Sequence, residues 1–401
     1  MPKNAEKRAQ HTVDYNNAEE IFYWLRNPPG GGIKRVMLLK DEWILTLADK
    51  IEAAPTDDAR AELAVPCRQL LEERDPTAYY EPEEVEALER SKEEAGIGNS
   101  KALAVLCVSY CWETPEHPDP FGRTLVKIAK AIRNLKTHKV AGFIPAPKKF
   151  AVFLDWTALP QKVNGQERNA EDKAAFDDAL SCMQVWYAHM LTTVLLLAGK
   201  QEGVSLSYQD RGWPTFERLV SMILTPKTFA VWPMIVDVGA MPDGAEEMPG
   251  DGYCKRLVPM SVDRFAKTMR EKKFTNGADC ELVIGLYKKT LESVLGKAPK
   301  LTMLENKHWG DAEMRELVEV LPLCAEATEL AIQCSFHEVT AEGVGVLTRC
   351  VDEGKLPPKL KTIFWRGGPS LVEDDNADCT KELRAACERR SIRIFGNCTI
   401  F

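Results

Sequence analysis

The sequence predicts an α/β protein: a parallel sheet flanked by helices, preceded by a helical region and followed by a short repeated tail. Three observations predict it. Four apolar runs of strand length alternate with helix-period segments between Ala102 and Asp237. That strict alternation requires crossover connections, and therefore parallel strands. After Leu301 a strand-plus-helix pattern recurs at a period of about 30 residues.

Residues 1–98 read as a helical N-terminal region. Glu19–Arg26, Leu38–Ala53 and Ala59–Glu73 carry apolar residues at helical spacing. Pro28–Gly32 separates the first two, and no Gly-Lys-Ser/Thr follows it to make a phosphate loop. Glu81–Glu94 reads as a solvated helix face. Residues 99–245 form the α/β domain. Ala102–Val108 is near-continuously apolar, as a strand covered on both faces must be. Leu125, Ile128, Ala129, Ile132 and Leu135 then mark one helix face. Phe150–Asp155 is the second strand, and Phe176, Leu180, Met183 and Tyr187 mark one following helix. Thr192–Leu197 is the third strand, Phe216, Leu219, Val220 and Ile223 mark its helix, and Ala230–Asp237 is the fourth strand. Residues 246–296 read as a helical connector, with helical patterns at Phe265–Met269 and Leu282–Leu295.

The tail, residues 297–401, aligns on Leu301-x-Met303, Leu330-x-Ile332, Ile363-x-Trp365 and Ile392-x-Ile394, with Asn306, Ser335, Gly368 and Asn397 at the turn that follows each. This resembles leucine-rich repeats of the strand-plus-helix kind. The resemblance implies a short curved solenoid, because one such repeat cannot bury its apolar face alone.

The composition narrows the function. A chain of 401 residues predicts two or three domains. A net charge of −8 argues against sequence-independent nucleic-acid binding, which needs a basic surface. The longest apolar runs, Ala102–Val108 and Met190–Ala198, fall far short of the ~20 residues of a membrane span. The first residues contain no apolar stretch of the signal-peptide kind. The twelve cysteines are scattered without a C-x-x-C pair, which suits reduced thiols in a cytoplasmic protein. Neither they nor the six histidines are spaced as metal ligands.

The segment Tyr208–Glu217, YQDRGWPTFE, concentrates the chemistry. Pro214 suits the first position of a helix. Glu217 then falls in the first turn, where the positive helix terminus favours an ionised carboxylate. Ligands of open parallel sheets bind beyond the carboxyl ends of the strands. Those ends carry Tyr110, Cys111 and Trp112 after the first strand, and Asp155 and Trp156 after the second. Trp213 joins them beside Glu217. A fixed carboxylate among aromatic rings suits a developing positive charge, such as an oxocarbenium ion at a ribose carbon. A glutamate in a first turn also serves helix stability alone. Ser109 lacks the G-x-S-x-G setting of a serine hydrolase.

Residues 101–245 resemble the TIR (Toll/interleukin-1 receptor) domain. The matching pieces are Val108-Ser-Tyr, Val152-Phe-Leu-Asp-Trp-Thr-Ala-Leu, Thr193-Val-Leu-Leu-Leu-Ala-Gly, Trp213-x-x-x-Glu217 and Val231-Trp-Pro-Met-Ile-Val. The stretch also looks like the related heterokaryon-incompatibility domain, through Ser109-Tyr-Cys-Trp, Leu154-Asp-Trp-x3-Pro-Gln161, Met183-x-x-Trp-Tyr and Arg211-Gly-Trp. It departs from the TIR pattern at Pro214, where a Cys is usual, and at Pro160-Gln161, where an Arg-Gly is common. The resemblance implies a flavodoxin-like parallel sheet. It also implies cleavage of the nicotinamide–ribose bond of NAD as substrate, with no cofactor, in members that self-associate through this domain. Glu217 maps onto the family's catalytic glutamate. Tyr110, Cys111, Trp112, Asp155, Trp156 and Trp213 map around the substrate pocket. The repeats would sense an unidentified protein or ligand. The same resemblance equally implies a non-enzymatic adaptor in signalling or immunity, since many TIR domains only recruit others of their kind.

Overall fold

Six strands build the main sheet of the computed structural model, in the spatial order β2 (Tyr79–Tyr80), β1 (Leu38–Lys40), β6 (Ala151–Phe153), β3 (Val105–Ser109), β7 (Thr193–Leu196) and β8 (Ile235–Asp237). The structure describes residues 13–26, 32–94, 104–137, 139–140, 144–145, 148–163, 165–189, 191–199, 202–223, 235–240, 257–303, 309–333, 338–366 and 378–396. The chain divides into two units, one of Met1–Ser221, Ala230–Cys254 and Glu271–Leu286, the other of Met222–Phe229, Lys255–Arg270 and Tyr287–Phe401.

In the first unit β3 (Val105–Ser109), β6 (Ala151–Phe153), β7 (Thr193–Leu196) and β8 (Ile235–Asp237) run parallel. Each coincides with one of the four runs that the sequence marks. Side chains alternate between the sheet's faces. One face carries Leu106, Val108, Val152, Leu195 and Val236, packed with Ile128, Ala129, Ile132 and Leu135 of helix α6 (Arg123–Thr137). The other carries Phe153, whose ring stacks on Trp186 at 5.0 Å and meets Tyr187 edge-on. Helices on both faces explain why β3 is buried at every position.

Three expectations are corrected. Residues 1–98 are not a helical region apart. Helix α1 (Ala18–Leu25) forms as expected, but Leu38–Lys40 is strand β1 and Tyr79–Tyr80 is strand β2. β1 pairs antiparallel with both β2 and β6, so this segment extends the same sheet. Helix α2 (Asp41–Ala53) starts only after β1 and joins the α6 core through Ile44, Ala48 and Ile51. Between them, α3 (Asp57–Ala61) and α4 (Arg68–Arg74) replace one long helix; α5 (Pro82–Glu94) covers the acidic stretch. A short apolar run such as Met37-Leu-Leu satisfies both periods, and its partner strand decides.

The helix after β6 is also two: α8 (Ala170–Leu180) and α9 (Met183–Ala188), which follow the short α7 (Asp155–Ala158). At the break Ser181 Oγ donates to Asp178 O (2.6 Å) and Cys182 Sγ to Ala179 O (3.1 Å). Such local bonds compete with helix continuation. Helix α10 (Gly212–Ser221) links β7 to β8, and β4 (Lys139–Val140) and β5 (Ile144–Pro145) pair as a small ribbon. Helices α11 (Val262–Arg270) and α12 (Asp279–Val294) occupy the predicted connector.

In the second unit four parallel strands lie in sequence order: β9 (Lys300–Met303), β10 (Glu329–Gln333), β11 (Thr362–Arg366) and β12 (Arg393–Gly396). Helices α13 (Asp311–Val320), α14 (Ala341–Asp352) and α15 (Asp378–Arg389) follow the first three strands in turn. Leu301, Leu330 and Ile363 pair in register as aligned, but Ile363 pairs with Ile394. The last repeat is therefore shifted by two residues from the Ile392 alignment. A two-residue slip keeps the same face inward, so apolar pattern alone does not resolve it. The turn residues Asn306, Ser335, Gly368 and Asn397 lie outside the described residues. Asp311 ties α13 to α14: its carboxylate accepts from Thr340 N (2.8 Å), Thr340 Oγ1 (2.7 Å) and Gly343 N (3.0 Å).

Candidate functional site

The carboxyl edge between β3 and β7 holds the cluster. Connections leave these two neighbouring strands in opposite directions, toward β6 and toward β8. Such a switch point opens a crevice in open α/β sheets. Ser109 ends β3. Beyond β7, a turn at Tyr208–Asp210 leads into α10, and Glu217 sits in that helix's second turn. Ser109 Oγ donates to Glu217 Oε2 (2.6 Å) and hydrogen-bonds the Tyr208 hydroxyl. Tyr187 donates to Val108 O (3.0 Å), and its hydroxyl also borders the Glu217 carboxyl. Glu217 is only 6% exposed, and it has no ion pair among the described residues.

This placement corrects the electrostatic expectation. Glu217 is not in the first turn, so the helix terminus does not govern it. Burial pushes its pKa well above the ordinary value, and the Asp155 charge adds to the rise; the bond from Ser109 opposes it only in part. Burial therefore favours the protonated form of Glu217.

Asp155 and its neighbours form a second network. Asp155 starts α7, and its carboxyl accepts from Tyr110 OH (2.7 Å), Trp112 Nε1 (3.0 Å) and its neighbour Trp156 N (2.7 Å). Part of the residue stays exposed while these donors enclose the carboxyl, and desolvation raises its pKa. Trp112 and Trp156 meet edge-on at 5.4 Å, and Trp156 Nε1 donates to Val65 O (2.8 Å). Gln161 Nε2 donates to Asp155 O (3.0 Å), which ties down the loop after α7. Four predicted residues, Tyr110, Trp112, Asp155 and Trp156, are thus brought together as one bonded group. Tyr110 and Trp156 are almost fully buried, not open platforms. Cys111 is buried, and desolvation lifts its thiol to about 11.

Trp213 is not among them. Its Nε1 donates to Asp279 Oδ2 (2.9 Å) and its ring meets Phe216 edge-on. The neighbouring segment is held the same way: Gly212 N donates to Lys273 O and Lys273 N to Asp210 O, both at 2.9 Å.

Sequence reasoning missed Tyr208, Tyr187 and Ser109 as partners of Glu217. Tyr208 opened the singled-out segment, but its reach to Ser109 is a tertiary contact. It also missed Asp119, whose buried carboxylate accepts from Thr124 N (3.1 Å) and Leu125 N (2.8 Å) at the start of α6. The signal was available in Asp119-Pro-Phe-Gly122, where Gly122 takes φ +70° against the Ile51 side chain. A cavity of about 10 Å³, room for about one water molecule, lies beside this turn, lined among others by Tyr110, His117, Asp119, Leu125 and Trp156. It excludes Glu217 and is smaller than the pocket of a drug-sized ligand. Among the described residues no three His, Cys, Asp or Glu are placed to hold a metal ion, and no helix is long and apolar enough to cross a membrane.

No protein-family model, curated protein or solved structure matches the chain.

Proposed function

We propose that the chain is a TIR-type signalling protein of the cytoplasm whose α/β unit hydrolyses the nicotinamide–ribose bond of NAD when copies assemble. The observation that carries it is the Glu217 carboxyl, buried at the β3/β7 edge and bordered by hydroxyls without a cation among the described residues. Burying such a group is costly, and groups with strongly displaced pKa values concentrate at functional sites. The parallel order β6-β3-β7-β8 puts the first strand second, as in flavodoxin-like sheets, and supports the TIR reading. Four parallel strands in sequence order, with helices between them, support reading residues 297–401 as leucine-rich repeats.

In the reaction the C1′–N bond breaks and its electron pair leaves with nicotinamide. The positive charge passes from the ring to C1′ and the ribose oxygen. Glu217 stabilises that charge. Water then bonds to C1′ and loses a proton. Arrival of the cationic nicotinamide ring favours the ionised form of Glu217, offsetting the effect of burial.

The enclosure of Glu217, at 6% exposure and bonded to Ser109, favours a second reading, a non-enzymatic adaptor. Nicotinamide release from NAD by the full chain, with and without a crowding agent, separates the two. The expected result is turnover under crowding, rising with pH as Glu217 ionises. Glu217→Gln is expected to reduce it about 100-fold or more with an unchanged circular-dichroism spectrum. Concentration-dependent assembly without any turnover would leave the adaptor reading standing.

A further inference from the structure

Three side chains form one hydrogen-bonded series at the β3/β7 edge. Ser109 Oγ is bonded both to the Tyr208 hydroxyl and to Glu217 Oε2. Ser109 is fully buried and Tyr208 nearly so. A serine hydroxyl carries one proton, and that of Ser109 goes to Glu217 Oε2 at 2.6 Å. The bond between Ser109 and Tyr208 therefore uses the proton of Tyr208. Burial holds that phenol well above its ordinary range, so it keeps the proton it donates. The turn that carries Tyr208 is itself fixed: Gly212 N donates to Lys273 O and Lys273 N to Asp210 O, both at 2.9 Å. Two other groups act on the Glu217 carboxyl. Asp155 on α7 opposes its ionisation, and the Tyr187 hydroxyl on α9 favours it. Around the end of β3, the Cys107 and Cys111 thiols and the Tyr110 phenol feel its charge. With no ion pair to Glu217 among the described residues, hydroxyl donors are what favours its carboxylate.

We propose that Tyr208 is a positioning residue that acts through Ser109: its phenol commits the Ser109 proton to Glu217 and so stabilises a carboxylate to which Tyr208 itself makes no bond. Hydrogen bonds in series polarise one another, so a donor to Ser109 strengthens the bond that Ser109 makes. Without that donor the Ser109 oxygen is left buried with an unmet acceptor site, and its hydroxyl is free to turn away from Glu217. For catalysis the proposal rests on the glycohydrolase reading, in which Glu217 acts as a carboxylate. The effect on the proton of Glu217 stands apart from that reading.

Infrared titration of the full chain tests it, following the C=O stretch of the protonated Glu217 carboxyl, assigned by its loss in Glu217→Gln. The midpoint is expected to rise by about one pH unit in Ser109→Ala, which removes the donor. It is expected to rise by about half a pH unit in Tyr208→Phe, which keeps the ring's packing. The double variant is expected to match Ser109→Ala, because Tyr208 acts only through that hydroxyl. Lost packing alone would not make the effect of Tyr208→Phe vanish when Ser109 is absent. An unshifted midpoint in Tyr208→Phe, or shifts that add in the double variant, overturns the proposal. So does a wild-type carboxyl that stays protonated up to the pH at which the chain unfolds. The expected shifts in a chain that never cleaves NAD uphold the role of Tyr208 and overturn the glycohydrolase reading. NAD turnover that depends on Glu217, with a pH profile unmoved in Tyr208→Phe, overturns the role of Tyr208 alone.

Discussion

At the scale of single residues, titration separates two kinds of buried group. Glu217 has its pKa raised by burial, so the folded state keeps a proton that the unfolded chain releases. Its contribution to stability is complete below the unfolded value of 4.5 and is lost as pH rises toward the folded pKa. Glu217→Gln removes that loss. Urea unfolding of wild type and variant is expected to give similar midpoints near pH 5 and a more stable variant at pH 8. His189 behaves oppositely. It is fully buried, its Nε2 donates to Asn17 O (3.0 Å), and its Nδ1 accepts from Leu191 N (3.2 Å). The neutral ring satisfies both, and burial pushes its pKa down to about 4. Here the unfolded chain binds the proton first. Stability is complete above the unfolded value of 6.5 and falls as pH drops toward about 4, by about 3 kcal/mol over that window. In His189→Gln that acid limb is expected to flatten, and a wild-type limb of equal slope would contradict the assignment.

At the scale of elements, the carboxyl edge depends on close backbone approach. Gly199 follows β7, and Gly239 follows β8. A Cβ on Gly199 would stand 2.2 Å from Gly239 O, and one on Gly239 would stand 2.2 Å from Gly199 N. No side chain can move aside there, because the obstacle is main chain. Gly239→Ala is expected to lower stability by about 3 kcal/mol and to speed amide exchange at β7 and β8 before it affects the repeats. The same principle explains Gly212, whose Cα lies under the Phe274 ring. That contact, with the Trp213–Asp279 bond, fixes where α10 begins, and so which turn carries Glu217. The spacing of Pro214 and Glu217 could not show this. Pro214 is compatible with any of the first positions, whose N–H groups lack helical partners anyway.

At the scale of the whole molecule, the two units have separate cores. The first is centred on the six-stranded sheet, and the second on Leu301, Met303, Leu330, Ile332, Ile363 and Trp365, all nearly or fully buried. Calorimetry is expected to resolve two transitions. Trp365→Ala, which empties a large buried volume in β11, should lower only one of them, by about 3–5 kcal/mol. If the repeats serve as a sensor, removing residues 297–401 should abolish partner capture and leave the first unit's transition in place.

Features that lie within one element or repeat along the chain could be read from the residues alone. The four parallel strands, helix α6 and the tail's period were legible because burial on both faces, a 3.6-residue stripe and a recurring pattern are properties of contiguous residues. The grouping of Tyr110, Trp112, Asp155 and Trp156 was legible too, because strand ends in a parallel sheet share one rim. Long-range contacts alone set that β1 and β2 belong to the sheet, that Ile394 and not Ile392 registers with Ile363, and that Ser109 and Tyr208 close over the buried Glu217 carboxyl. Strand pairing and desolvation are set by groups far apart in the chain, and neither leaves a local trace in the residues that experience it.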